Sequence, residues 1–159
     1  MSKIFETSED IVELVEQQFS DCGLEAYGLT LKIMSLTKAK EVIKASKASA
    51  TTEFLTKKDG IIQIQIYEAA FDRLTDDTKN LLIEMALSTI SYDGEKDKIL
   101  VDNNPYNAVF NMRRKYGNDF LDKLEQSFLV IQQLEDEEKE QKEAEKAAKK
   151  AAREAKNNG

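Results

Sequence analysis

A chain of 159 residues with 41% hydrophobic and 33% charged residues suits one packed domain plus a charged extension. It has no histidine and one cysteine. That excludes a histidine acid–base catalyst, an intramolecular disulfide, and zinc sites built from four cysteines or from cysteine with histidine. A net charge of −7 sets the chain against phosphate backbones and anionic membrane surfaces, which disfavours direct nucleic-acid binding.

Met1 to Asp10 is polar and acidic without an apolar stretch, so it does not read as a signal peptide. No run approaches the roughly 20 apolar residues of a membrane span, and the expected location is the cytoplasm. The first helix is expected from Thr7 or Ser8, with Glu9 and Asp10 complementing its dipole and Ile11, Leu14, Val15 and Phe19 as its buried stripe. Gly23 ends it. Cys22, with no histidine to activate it, reads as a small buried or half-buried residue rather than a nucleophile.

From Leu29 the period becomes two, and Leu29, Leu31 and Ile33 mark a half-buried strand. Lys38 to Ala50 is small and basic and reads as a short helix or a mobile loop, its lysines as solvated surface. Thr51 to Thr56 and Ile61 to Ile66 flank Lys57-Lys58-Asp59-Gly60, the pattern of a β-hairpin with Ile62, Ile64 and Ile66 inward. Tyr67 to Arg73 is a short helical connection.

Thr75 caps the clearest helix, whose run from Leu81 to Ile90 is apolar around much of its circumference; it is expected to be buried and to end near Tyr92. Lys98 to Val101 is a short strand. Pro105 opens a helix to Tyr116 that Gly117 closes. The last helix starts at Asn118 or Asp119, with Phe120, Leu124, Phe128, Ile131 and Leu134 as its buried stripe. After Leu134 alanine is the only apolar residue type, and residues 135–159 hold eight acids and seven bases. Glu135–Lys139, Glu138–Lys142 and Glu145–Lys149 are favourable i,i+4 pairs, and this segment reads as a solvated helical tail.

The expected architecture is α+β: a small antiparallel sheet of one strand, a hairpin and a short strand, packed on a central buried helix. A domain over 1–134 carries a helical tail over 135–159. This order resembles the phage-type metallopeptidase family, whose members are similar to the SprT-like zinc peptidases. The resemblance runs from about Phe5 to Phe128. It is carried by Lys47-Ala48-Ser49, the strand Ile61 to Ile66, Phe71-Asp72-Arg73-Leu74-Thr75-Asp76-Asp77, the helix Leu81 to Ile90, and Phe110 leading to Tyr116-Gly117.

The resemblance implies a zinc peptidase whose central helix bears H-E-x-x-H, two histidines for the metal and a glutamate for the attacking water. Here Met85 stands at the first histidine, Ala86 at the glutamate and Thr89 at the second histidine, and the downstream ligand position, Asn103 to Tyr106, also lacks histidine. Thioether and hydroxyl are poor zinc ligands, and Ala86 offers none. Met85, Ala86 and Thr89 are expected to fill the space between helix and sheet as packed core.

Other candidates are weaker. Asp93, Glu95 and Asp97 alternate like a calcium loop, but Gly94 is misplaced and Asn104 sits where a bidentate glutamate belongs, so the stretch reads as an acidic turn. Glu84 with Asp93 or Asp102 would make a carboxylate pair without a supporting spacing rule. Arg113, Arg114 and Lys115 complement a helix C-terminus.

The expectation is a non-catalytic, metallopeptidase-like phage protein that binds a host or virion protein, with no catalytic residue, metal or cofactor assigned. It would work in the host cytoplasm or in the virion. Two alternatives remain: an acidic nucleic-acid mimic that inhibits a host DNA-binding protein, and an enzyme using carboxylates with a divalent metal.

Overall fold

Alternating β-branched and polar residues drive the main sheet, which a computed structural model describes within residues 2–158. Four strands make it: β1 (Ile4–Phe5), β2 (Thr30–Leu36), β3 (Ile43–Lys47) and β4 (Ile61–Tyr67), in the order β1-β2-β4-β3. The sheet is mixed, not antiparallel as expected: β2 runs parallel to β4, with Ile33 beside Ile64, while β1 and β3 pair antiparallel with β2 and β4. Central β4 buries Ile62, Ile64 and Ile66 completely, a contribution of roughly 1.5–3 kcal/mol each.

The expected hairpin is replaced by a longer excursion. Ile43–Lys47, expected to be a short helix or mobile loop, is the strand that pairs with β4. Its alternation is real, with Ile43 and Ala45 buried, Lys44 exposed and Ser46 half-buried, but alanine and lysine are weak strand formers and mask it. Thr51–Thr56, expected as a strand, lies in helix α2 (Ala50–Thr56), because the Ser49 hydroxyl accepts from Thr52 N–H and starts a turn. Lys57 closes α2 in the left-handed conformation, and Gly60 (φ 68°) turns the chain into β4 with Ile99 packed close against it.

Helix α1 (Glu9–Asp21) buries Ile11, Val15 and Phe19, and left-handed Gly23 follows its end. Ser8 sits at its cap position, yet its hydroxyl bonds to Glu68 instead of the helix. Cys22 is exposed, contrary to expectation, because it follows the last turn on the solvent side. A 3-10 turn (Leu24–Tyr27) leads to β2, and α3 (Glu68–Phe71) follows β4.

Helix α4 (Asp76–Ser88) is capped by Thr75, whose hydroxyl accepts from Thr78 N–H, and it buries Leu82, Ile83, Ala86 and Leu87. It stops earlier than expected. Ile90–Asp93 is strand β5, paired antiparallel with β6 (Lys98–Val101) as a separate two-stranded sheet. Thr89 and Ile90, both β-branched, favour that exit. Thus β6 joins a hairpin of its own rather than the main sheet.

Helix α5 (Pro105–Tyr116) begins at Asn104, whose side chain accepts from Tyr106 N–H. Helix α6 (Asn118–Asn157) has 40 residues and spans about 60 Å. Its first half buries Phe120, Ser127, Val130 and Ile131, whereas Phe128, expected inward, is 48% exposed. Arg73 holds Glu137 through two bonds (2.9 and 2.8 Å), Lys38 reaches Glu138 at 3.5 Å, and residues 139–158 are exposed. No helix among the described residues is long and apolar enough to cross a membrane.

Candidate functional site

A cleft of about 450 Å3 opens between the β3 edge, α4, the 102–104 turn, α5 and α6. Helix α4 supplies Leu82, Met85, Ala86 and Thr89; the approach to β3 and the strand itself supply Glu41 to Ala45. Asn103, Asn104, Pro105 and Tyr106 form one wall, and Leu124, Ser127 and Phe128 of α6 form another. Ala86 is buried in the core and Met85 packs against it, as expected of packing residues, but Met85, Ala86 and Thr89 also border open space. The volume lies within the range of ligand sites, about 300–1,000 Å3.

The positions at which the resemblance expects zinc ligands and base border this cleft. Thr89, at the end of α4, follows Ala86 by three residues and Met85 by four, and residues 103–106 line the same cleft. Their donors do not fit zinc. The Thr89 hydroxyl donates to the Ala86 carbonyl at 2.7 Å and is held by the helix, while Met85 offers a thioether and Ala86 a methyl group.

The carboxylates bordering the cleft are Glu41 and Asp102. Asp102 accepts from Asn107 Nδ2 and from Asn104 N–H, both at 2.8 Å. These two bonds, the Asn107 one foremost, hold its carboxyl below the usual range and tie it to the turn that starts α5. Among the described residues no three acidic or cysteine side chains gather as a ligand set.

Glu84 is committed elsewhere, which corrects the idea of a pair with Asp93 or Asp102. It accepts from Lys115 Nζ and from Tyr116 Oη, each at 2.5 Å. Partial burial pushes its carboxyl up, but these bonds and the Lys115 charge outweigh burial and hold it below the usual range. Lys115 accordingly binds α4 rather than the end of its own helix. The acidic turn 93–97 is also self-contained: Asp93 accepts from Glu95 and Lys96 N–H, and Tyr92 donates to Asp97.

Two features of the cleft were not legible in the sequence. Tyr106 is 74% exposed at its rim, although a tyrosine after Pro105 is unremarkable as text. Phe128 also faces the opening, although its spacing matches the buried stripe of α6. Comparison with protein-family models, curated proteins and solved structures finds no match for this chain.

Proposed function

We propose that this chain is a metallopeptidase-like protein without the peptidase chemistry, and that it acts by holding a segment of a partner protein in the cleft. The observation that carries this reading is the convergence of Met85, Ala86, Thr89 and residues 103–106 on one cavity bordered by β3. A zinc peptidase of this plan would hold metal, base and substrate there. In this chain the same space is lined by Leu82, Met85, Ala86, Val109 and Leu124, with Tyr106 and Phe128 at the opening. An apolar cavity with exposed aromatic residues at its mouth favours binding over hydrolysis. A host or virion protein of a phage is the partner this reading calls for.

The nucleic-acid-mimic reading has less support. Glu137 and Glu138, two of the tail's acids, are taken up by Arg73, Lys38 and Lys142. The test is affinity capture from a host lysate with the intact chain, with Phe128→Lys and with Tyr106→Lys. The expected result is a partner held by the intact chain and lost from both variants while their melting temperatures stay close to the parent. Hydrolysis of a peptide by the purified chain, abolished by EDTA, would sink the proposal.

A further inference from the structure

β3 is one of the two edge strands of the main sheet, and its antiparallel register fixes where each of its backbone groups points. Tyr67 N–H donates to the Val42 carbonyl at 2.8 Å, and Ala48 N–H donates to the Ile61 carbonyl at 3.0 Å. Residues 42 and 48 therefore face β4, and by alternation so do Lys44 and Ser46. The N–H and C=O groups of Ile43, Ala45 and Lys47 then point away from the sheet, and no other group among the described residues bonds to them. Beside the strand, β6 packs against part of β3, with Ile99 reaching Gly60 at the foot of β4, and Glu41 to Ala45 border the cleft.

An unpaired edge is a template for another strand, and proteins normally cover or disrupt it. Here β6 lies against part of the edge, while the outward groups of Ile43 and Ala45 are unpaired and Glu41 to Ala45 border the cleft. The two sides of β3 differ in character. Ile43 and Ala45 are buried on the side of α4, whereas Lys44 is exposed on the other. Lys40, Lys44 and Lys47 are exposed and form no ion pair among the described residues, while Lys38 is engaged by Glu138.

We infer that the cleft takes an extended segment of another protein as an added strand on β3, with apolar side chains alternating with acidic ones. Residues of that segment beside Ile43 and Ala45 would point into the cleft toward Met85 and Leu124. The residue beside Lys44 would point outward beside the exposed Lys44 ammonium, where a carboxylate is favoured. The space, about 450 Å3, admits a single strand; a second copy of this chain would bring its own β4 and α4 behind its β3. This inference rests on the cleft-binding reading above.

The test is titration of the isotope-labelled full chain with a capped peptide of alternating valine and glutamate. The comparators are a valine–lysine peptide and an N-methylated valine–glutamate peptide. Amide exchange at Ile43 and Ala45 is expected to slow by about tenfold or more, with little change at Lys44, already bonded to β4. The glutamate peptide is expected to bind about tenfold tighter than the lysine peptide at low salt, a ratio that shrinks as salt rises. N-methylation is expected to abolish binding. If the peptide shifts Met85 and Phe128 resonances but leaves Ile43 and Ala45 exchange unchanged, strand addition is overturned and the cleft reading stands. Equal binding of the N-methylated peptide overturns strand addition, and equal binding of the lysine peptide overturns the acidic face. No shift at any cleft residue overturns the inference and the cleft reading together.

Discussion

Single residues decide what the cleft can do. Met85, Ala86 and Thr89 were readable as positions without zinc donors, because donor chemistry is a property of residue type. That they border open space was not readable, since a cavity depends on where α5 and α6 pass. If α4 keeps a ligand geometry, the pair Met85→His and Thr89→His will bind cobalt(II) at micromolar concentration, read from its visible spectrum. The same i,i+4 pair placed on the exposed far half of α6 is the control, and equal affinity there would show that α4 contributes nothing.

Glu84 and Glu68 set the response to acid. Burial raises the Glu68 carboxyl, but hydrogen bonds from Ser35 (2.6 Å) and Ser8 outweigh it and lower the net value. Both groups are thus depressed in the folded state relative to an ordinary 4.5. Their stabilisation is fully present above that value and lost as pH falls through the folded values. Urea midpoints should stay level from about pH 7 to about pH 5 and then drop, and Glu84→Gln should blunt the drop.

At the scale of elements, legibility followed the strength of local signals. The helices at Pro105–Tyr116 and from Asn118 emerged where proline, glycine and apolar spacing agreed. The segment 43–56 failed because each half contradicts its composition: Ala- and Lys-rich residues pair as a strand, while Thr-rich residues coil as a helix. Tertiary pairing with β4 overrode propensity in the first case, and a serine cap decided the second. The parallel crossing from β2 to β4 was equally invisible, because strand neighbours are chosen by long-range packing. Caps at these switches carry measurable weight. Thr75→Ala, which removes the acceptor for Thr78 N–H at the start of α4, should cost about 1 kcal/mol by chemical denaturation. Ser8→Ala should leave α1 helicity unchanged, since its hydroxyl does not cap α1, and a loss of α1 helicity would refute that assignment.

For the whole molecule, one helix joins core and solvent. Its first half walls the cleft with Leu124, Ser127 and Phe128, and its second half leaves the body after Glu137 and Glu138. Truncation after Lys142 should leave stability unchanged within error. Truncation after Leu134 should lower the melting temperature only slightly, since the ion pairs it removes are exposed, and high salt should erase the difference. A larger loss would mean that the tail helix contributes packing as well. The protruding half adds little mass but considerable friction. Residues 139–157 extend about 28 Å beyond the last ion pair with the body. The 18.0 kDa chain should therefore sediment more slowly than a sphere of its mass, and its rotational diffusion should be slower about axes across the helix than along it.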